Sequence, residues 1–294
     1  MLLEIRQVTT MTKTSKKSNL SKGNSVVRFL LFCFLLSCII ISVYPFIYML
    51  IVSFMDTTTM RLDWERIAHA KYTIENYKIL FREMDFVTYF TNSTIMTVYA
   101  VVVTCLTAAL AAYGFAKKKF RGRTALYLLY LATMMIPGQV TLIPCFLILK
   151  TLGMLNTFSA MVLPTVGAFG VLLMYSFMGS VPNDLLEAAD LDGCGEIKKF
   201  TQIVLPLIKP VIISLAIFTF ISVWSSLTLP LIVSTKSEMT TLTVAIANMK
   251  NQITETKYGL MMAGSAVSFM PPFILYLILQ KQFVEGIALS GTKL

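Results

Sequence analysis

The segment from residue 180 to 206 combines acidic, small and apolar residues at helical spacing. Its carboxylates outnumber its lysines, Lys198 and Lys199, and they are Asp184, Glu187, Asp190, Asp192 and Glu196. One face of a predicted helix has the spacing i, i+3, i+4, i+7 and carries Leu185, Ala188, Ala189 and Asp192. The two methyl-sized side chains at the centre of that face allow another surface to approach closely. We therefore interpret the segment as a helix that docks on another protein.

The same segment contains start and stop signals for two short helices. Pro182 is tolerated in a first helical turn, and Asp184 and Glu187 favour the positive N-terminal end of a helix. Gly193 suits the left-handed backbone conformation that ends a helix. One side of a second helix, which proline interrupts, carries Ile197, Phe200 and Ile203 or Val204. We predict a short helix, a tight turn and a second helix between residues 180 and 210.

The rest of the chain has the composition of a membrane protein. Of its 294 residues, 56% are hydrophobic and 14% are charged, and the mean hydropathy is +0.74. A soluble domain carries about a quarter charged residues, so this chain has too few to cover a water-facing surface. Six apolar segments are long enough to cross a bilayer, and they are 29–54, 88–116, 124–149, 158–177, 211–233 and 260–279. We predict an all-α, polytopic membrane protein with six transmembrane helices.

The basic residues predict the orientation in the membrane. The net charge is +10, and the lysines and arginines are concentrated between the apolar segments, chiefly at 13–28 and 117–123. With the N-terminal tail in the cytoplasm, 16 of the 25 lysines and arginines lie on the cytoplasmic side, which agrees with the positive-inside rule. We expect both termini in the cytoplasm of a bacterial cell and an uncleaved first span. Neither basic cluster has the aromatic or polar readers of a nucleic-acid site, so we expect no nucleic-acid partner.

Residues that support enzyme, metal or nucleotide chemistry are scarce. The five cysteines include no C-x-x-C pair and His69 is the single histidine, so we predict no metal site, disulfide framework or catalytic residue. Residues 286–293 resemble a phosphate-binding loop, but Thr292 precedes Lys293 and no helix follows. No predicted span contains an ionisable residue, whereas ion-driven transporters depend on such residues. We expect no cofactor bound by this chain and an energy source outside it.

Prolines, glycines and neutral polar residues inside the spans favour a transport path. Proline and glycine break the helix ladder, which suits spans that line a moving, water-filled path. Aromatic faces and uncharged polar groups suit contact with a sugar. The candidates for such contact are Tyr99, Tyr113, Gln139, Thr141, Tyr175, Trp224 and Ser225. Membrane-interface belts and ordinary helix packing remain the alternative explanation for each of them.

A set of motifs in a fixed order resembles one family of transport proteins. Glu187-Ala188-Ala189, followed by Asp192-Gly193 and by 203–206, resembles the EAA loop of binding-protein-dependent ABC importer permeases. The other motifs resemble the sugar-uptake branch, in particular the smaller permease subunit of maltose-type transporters, and they are 111–123, 135–144, 152–157 and 280–287. The resemblance covers nearly all of the chain from the first span onward.

This resemblance implies the type I ABC importer permease fold and a set of partners. Two permease subunits would form the path, two ATPase subunits would use ATP and Mg, and an extracytoplasmic solute-binding protein would deliver the substrate. Closure of the ATPase dimer would turn the permease from inward-facing to outward-facing. By the match, Glu187 would make the polar contact with the ATPase and Ala188 and Ala189 would let the helix approach closely. Asp192 and Gly193 would form its end and its turn.

The predicted organisation has five parts: a basic cytoplasmic tail (1–28), a first transmembrane helix (29–54), an extracytoplasmic loop (55–87), a five-helix core (88–283) with the coupling loop at 180–210, and a cytoplasmic tail (284–294). The segments 55–87 and 234–257 are candidates for contact with the binding protein, and solvated connectors are the alternative. For the coupling loop, the alternative is an amphipathic connector on the membrane surface, although anionic lipid would repel its carboxylates. The alternative functions are an ABC importer permease for an amino acid, phosphate or polyamine, and a secondary transporter.

Overall fold

The structure, a computed structural model, describes residues 25–56, 65, 67, 69–249 and 257–291, with side chains from 27 to 280. The chain divides into two compact units, residues 1–48 and residues 49–294. Within the described part of the chain, the β pairing is limited to an isolated bridge between Met55 and Tyr72. The prediction of an all-α fold is therefore confirmed.

Thirteen helices account for most of the described residues. In chain order they are α1 (Ser25–Ser53), α2 (Glu75–Arg82), α3 (Phe86–Lys117), α4 (Arg123–Met135), α5 (Gly138–Thr151), α6 (Phe158–Thr165), α7 (Ala168–Met178), α8 (Asn183–Leu191), α9 (Glu196–Leu207), α10 (Lys209–Trp224), α11 (Thr228–Val233), α12 (Leu242–Met249) and α13 (Tyr258–Gly291).

Three of these helices are long and apolar enough to cross a membrane by themselves. They are α1, α3 and α13, and the apolar stretch of α1 has a mean hydropathy of 2.6. Three further apolar helix pairs are bent, by 103° between α4 and α5, by 50° between α6 and α7, and by 77° between α9 and α10. If each bent pair is one span, the described residues contain up to six spans, the number that the sequence predicts. The pair formed by α9 and α10 begins at Glu196, within the predicted coupling loop, whereas the fifth span was predicted from residue 211.

Proline or glycine lies at each bend. Ile136 precedes a proline and is extended, with φ −85° and ψ 116°, because a residue before proline is disfavoured in the helical region. Gly167 is extended before α7, with φ −123° and ψ 176°. Pro210 lies at the start of α10, just after the bend at Ile208. The sequence predicted breaks at prolines and glycines inside the spans, and the bends between α4 and α5 and between α6 and α7 lie at such residues.

The predicted boundaries differ from the observed helices at two places. The fifth span was predicted to run continuously to Val233, but α10 ends at Trp224 and a separate helix α11 follows. The C-terminal tail was predicted from residue 284, but α13 continues as one helix to Gly291 despite its internal prolines. Residues 1–24 of the predicted N-terminal tail and residues 292–294 lie outside the described residues.

Helix α3 is the centre of the unit formed by residues 49–294. It packs along α7 and along α10. Small side chains at Ala108, Ala109 and Ala112 are buried on this helix, and a Cβ added to Gly170 of α7 would lie 3.1 Å from the Cβ of Ala108. Small residues at helix interfaces let the backbones approach closely, which is how helices associate without a hydrophobic driving force in lipid.

The two ends of α3 define two ends of this unit. We call the end near Lys117 and the 180–210 segment the loop end, and the end near Asn92 the far end. At the far end, the Nδ2 of Asn92 donates hydrogen bonds to the carbonyl oxygens of Glu238 and Thr240, at 2.8 and 3.0 Å. These bonds hold the segment between α11 and α12 against the start of α3.

A second asparagine joins two loops at the far end. The Oδ1 of Asn156 accepts hydrogen bonds from the backbone N–H groups of Thr235 and Lys236, at 2.7 and 2.9 Å. Asn156 has a positive φ of 59°, a conformation that asparagine tolerates better than most residues. This residue therefore fixes the position of the 234–240 segment relative to the turn before α6.

Candidate functional site

Helix α8 and the turn after it form the first part of the loop that the sequence singles out. Pro182 precedes the helix in an extended conformation, and Asp184 lies in its first turn. Gly193 has φ 71°, and the N–H of Cys194 donates to the carbonyl oxygen of Ala189 at 2.9 Å. Together with the bond from the N–H of Gly193 to Asp190, this is a Schellman ending. The prediction of a left-handed glycine that ends the helix is confirmed.

The exposed face of α8 differs from the predicted one. Glu187, Ala188, Asp192 and Gly193 are exposed, whereas Ala189 is buried. Leu186 is buried as well and belongs to the apolar core at the loop end. Ala189 follows Leu186 by three residues, so both lie on the face that α8 turns towards its own chain.

Two exposed apolar side chains next to the Gly193 turn were missed by the sequence reasoning. Leu191 is 91% exposed and Ile197 is 80% exposed. The sequence predicted Ile197 on one side of the helix with Phe200, but Phe200 is buried and Ile197 is not. Phe200 lies in a π-helical stretch from Lys199 to Val204, whereas Ile197 lies in the α-helical turn before it. An apolar residue on each side of a glycine turn in an acidic segment was the available signal.

Lysine 117 connects the start of the loop to α3. Its Nζ donates hydrogen bonds to the carbonyl oxygen of Val181 at 2.6 Å and to the Oδ1 of Asn183 at 2.9 Å. The last residue of α3 therefore holds the residues that lead into α8.

A cluster of charged side chains joins α8, α9 and α3 a few residues further on. We call it the charged joint, and it consists of Tyr113, Lys118, Asp190, Glu196 and Lys199. The Nζ of Lys199 forms ion pairs with the carboxylates of Asp190 and Glu196, the latter at 2.6 Å. The carboxylate of Glu196 also pairs with Lys118 and accepts a hydrogen bond from the hydroxyl of Tyr113 at 3.0 Å.

The charges of this joint stabilise one another. Hydrogen bonds from Lys118 and then from Lys199 lower the pKa of Glu196 to about 2. Hydrogen bonds to Asp190 and then to Glu196 raise the pKa of Lys199 above its usual value. Because an opposite charge favours the ionised form, both groups stay charged throughout the neutral pH range.

Two of the predicted path residues lie between helices near the far end. Trp224 is 3% exposed, and its Nε1 donates a hydrogen bond to the carbonyl oxygen of Ser268 at 2.9 Å. Its ring is stacked with Phe220 and lies edge-on to Phe90. The hydroxyl of Tyr99 lies 3.4 Å from the Oγ of Ser159. Trp224 therefore packs α3, α10 and α13 together.

The other predicted path residues lie in different places. Tyr113 belongs to the charged joint, and Tyr175 stacks on Tyr127 with ring centroids 4.3 Å apart. The side chains of the remaining three are exposed, on the first turn of α5 and at the end of α10, and they are Gln139, Thr141 and Ser225. The seven residues do not converge on one site in this conformation, and their contact with a substrate stays a prediction.

A cavity of about 310 Å³ lies midway along α3, between α3, the break before α7, and α10. Its polar lining residues are Thr104, Thr165, Thr219 and Ser222, and none of its lining residues is charged. The Oγ1 of Thr104 is buried without a hydrogen-bond partner. The cavity also includes Gly167, at the broken span. Sequence reasoning missed these hydroxyls because threonine and serine are ordinary members of apolar spans.

Comparison with known proteins identifies the family. The family described as "Binding-protein-dependent transport system inner membrane component" matches residues 101–288. The arabinooligosaccharides transport system permease protein of Halalkalibacterium halodurans is 29% identical over 257 residues, which cover 86% of this chain and 92% of the relative. The trehalose/maltose transport system permease protein MalG of Thermococcus litoralis is 32% identical over 260 residues and covers the same shares.

The fold also matches solved structures. A chain of a bacterial ABC transporter involved in the import of the acidic polysaccharide alginate superposes with a TM-score of 0.77 at 21% identity, covering 90% of this chain and 98% of that chain. The alginate transporter in complex with an alginate pentasaccharide-bound periplasmic protein superposes with a TM-score of 0.64 at 15% identity. The chain therefore belongs to the family of binding-protein-dependent transport system inner membrane components and is a membrane-spanning permease of an ABC importer.

Proposed function

We propose that this chain forms half of the translocation path of an ATP-driven importer for a sugar or small oligosaccharide. The relatives at 29% and 32% identity are named as permeases for arabinooligosaccharides and for trehalose and maltose. A further relative, from Streptomyces coelicolor, is named as a diacetylchitobiose uptake permease and is 30% identical over 257 residues. The shared theme of these names supports a carbohydrate as the solute.

The single observation that carries the mechanism is the exposed tip of the 180–210 loop. Glu187 and Asp192 provide negative charge, Ala188 leaves room for close approach, and Leu191 is 91% exposed. A large apolar side chain beside carboxylates, on a loop fixed at its base by Lys117, suits a protein contact.

In this proposal the tip docks on an ATPase subunit. Glu187 makes the polar contact, Ala188 lets the helix approach, and Asp192 with Gly193 forms the turned end of the docking surface. Ala189 supports α8 from its buried side. The partner ATPase, and not this chain, binds ATP and Mg. Closure of the ATPase dimer shifts the permease between two packings of the same helices.

The proposed assembly contains two permease subunits, two ATPase subunits and an extracytoplasmic solute-binding protein. The distribution of lysine and arginine supports an orientation with both termini in the cytoplasm. The loop end then faces the ATPase subunits, and the far end faces the binding protein. At the far end Lys236 and Glu238 are exposed on a segment that Asn92 and Asn156 hold in place, which provides a firm surface for that contact.

The hydroxyl-lined cavity supports a neutral polar solute. Thr104, Thr165 and Thr219 offer donors and acceptors, and Phe169 offers an apolar ring, without any charge. An anionic or cationic solute would need a compensating charge at this depth. The alternative is a permease for an amino acid, phosphate or polyamine. A competition experiment distinguishes the two, in which uptake of a labelled neutral oligosaccharide by the transporter is measured. An excess of the unlabelled oligosaccharide should block this uptake, and the charged solutes should not.

The docking proposal is tested by affinity purification of the full transporter in mild detergent. Glu187→Lys reverses the charge at the tip and should abolish recovery of the ATPase with this chain. Glu238→Lys makes the same change on an exposed side chain at the far end and should leave ATPase recovery unchanged. Recovery of the ATPase with Glu187→Lys at the normal yield would refute the assignment of the tip.

A further inference from the structure

Lys199 is 3% exposed, which is unusual for a lysine, and it lies at the base of the 180–210 loop. A buried cation is costly unless it is paired and hydrogen-bonded. The structure meets this requirement with two carboxylates, since the ammonium contacts both Asp190 and Glu196.

Lys199 lies on α9 together with Glu196, whereas Asp190 lies on α8, so the pair between Lys199 and Asp190 connects the two helices. Asp190 lies in the last turn of α8, and Glu196 begins α9. Glu196 continues the connection to α3 through Lys118 and the hydroxyl of Tyr113. The side chains of Asp190 and Glu196 are 60% and 54% exposed, and the buried lysine contacts both of them.

The backbone at Lys199 places an apolar contact beside the charged one. Lys199 begins the π-helical stretch, and Phe200 next to it is also buried. The ring of Phe200 packs on the ring of Tyr113 of α3 with centroids 5.4 Å apart. The Nζ of Lys118 lies 5.2 Å from the centroid of the same Tyr113 ring. α9 is thus attached to α3 by a ring contact and by charge-assisted hydrogen bonds.

We propose that Lys199 is a positioning residue that locks α8 and α9 to the end of α3, so that movement of the docking tip is transmitted to the central helix. This inference rests on the proposed docking of the tip on an ATPase. Packed rings can slide against each other, whereas charge-assisted hydrogen bonds are directional and short. Without Lys199 the tip still docks on the ATPase, but α8 moves relative to α9 at the charged joint and α3 does not follow.

The test measures how far a nucleotide-induced change travels into the permease. The full transporter, with its ATPase and binding protein, is placed in lipid nanodiscs. Hydrogen–deuterium exchange is followed by mass spectrometry with and without ATP plus vanadate. Lys199→Met keeps most of the apolar length of the side chain and removes the charge. We expect ATPase recovery to be retained, the exchange change over residues 183–191 to be retained, and the change over residues 109–118 to be lost.

Two variants serve as matched controls. Lys198→Met makes the same substitution at the adjacent exposed lysine, and Lys199→Arg keeps a cation in the joint. Both should show the nucleotide-induced change over both segments. A merely structural role for Lys199 would lower the stability of the chain without separating the response of residues 183–191 from that of residues 109–118.

Failure of the inference about Lys199 and failure of the proposed function give different results. A normal response over residues 109–118 in Lys199→Met would overturn the inference, as would the absence of that response in the unsubstituted chain. Absence of an ATPase from the unsubstituted purification would instead overturn the proposed function. If Lys199→Met is not recovered with the ATPase, the variant Asp190→Asn decides by the same comparison, because Asp190 contacts the joint through Lys199. Loss over residues 109–118 supports the inference and retention overturns it.

Discussion

The two ends of the 49–294 unit are joined by different chemistry. At the loop end, ammonium and carboxylate groups connect α3, α8 and α9, with Lys199 buried among them. At the far end, neutral side-chain amides connect segments by bonding to backbone groups, as Asn92 and Asn156 do. Neutral amide bonds do not titrate and are little affected by salt, whereas ion pairs depend on both.

The difference shows what each end requires. The far end holds loops in one position, and amides that bond to backbone carbonyl and N–H groups are sufficient for that. The loop end must keep three helices in a fixed relation while, in our proposal, a partner moves the outermost one. Charged, directional contacts between helices suit that task better than isolated bonds to a loop.

The largest expected effect on stability comes from adding one methyl group at Gly259, where α13 begins at the far end. A Cβ at Gly259 would lie 2.1 Å from the carbonyl oxygen of Met55 and 2.6 Å from the Nδ2 of Asn76. Asn76 is itself bound to the carbonyl oxygens of Ser53 and Met55, so these atoms cannot move away cheaply. Gly259→Ala should destabilise the chain by about 3 kcal/mol or more, seen as loss of the folded peak in size-exclusion chromatography.

The matched control for that substitution is Gly114→Ala. Apart from its chain neighbours and the nearby backbone of its own helix, no heavy atom lies within 4 Å of a Cβ at Gly114, so this variant should elute like the unsubstituted chain and melt at the same temperature or slightly higher. A Gly259→Ala chain with an unchanged melting temperature would show that α13 does not approach Met55 as closely as the structure has it.

The next effect sharpens the role of Asn156 at the far end. Asn156→Ala removes the acceptor for the N–H groups of Thr235 and Lys236 and places alanine at φ 59°. We expect a loss of about 1–3 kcal/mol, measured as a lower thermal midpoint. Asn156→Gly accepts the positive φ and should lose less than Asn156→Ala. Equal losses would mean that the backbone conformation contributes nothing to the difference.

A smaller effect is the pH dependence of stability that the charged joint at the loop end contributes and the neutral amides at the far end do not. The pKa of Glu196 is lowered to about 2 in the folded chain. Its contribution is therefore fully present above the usual carboxyl pKa and is lost as the pH falls towards 2. Because the side chain is half exposed, we expect about 1 kcal/mol. The thermal midpoint of the unsubstituted chain should fall between pH 5 and about 3 by more than that of Glu196→Gln. Parallel pH profiles would contradict this account.

The smallest effect concerns an ion pair outside the charged joint. Lys78 and Glu75 of α2 form an exposed pair at 3.0 Å. Exposed pairs contribute about 0–1 kcal/mol, so Lys78→Ala should change the thermal midpoint little at low salt and not at all at high salt. A loss of stability in Lys78→Ala as large as that in Asn156→Ala would show that exposed ion pairs contribute strongly throughout this chain. The difference in chemistry between the loop end and the far end would then not explain their stability.

Much of the fold could be predicted from the sequence because the signals are local. Charge-free apolar segments predict spans, and the isolated glycine after an amphipathic run predicts the turn at Gly193. The helix break at Pro137 follows from the restriction that proline places on the backbone of Ile136, which does not depend on distant residues. The length of the fifth span was wrong because hydropathy continues past Trp224 although the helix does not.

The candidate site was predicted less completely, because exposure is not a local property. Ala188 and Ala189 are alike in the sequence, yet the first is exposed and the second is buried against its own chain. Tyr113 was predicted for its aromatic ring, and the structure shows its hydroxyl bound to Glu196. Both outcomes depend on which face α8 and α9 turn towards α3.

The sequence by itself determined that this chain is a membrane protein with several apolar spans and that it carries an acidic loop with a turn at Gly193. Hydropathy, charge and backbone sterics act within a few residues, so they can be recognised without a fold. Only the tertiary structure decided that Lys199 is buried between Asp190 and Glu196 and that Thr104, Thr165 and Thr219 share one cavity. These residues are far apart along the chain or on different helices, and the packing of α3 against its neighbours is what brings them together.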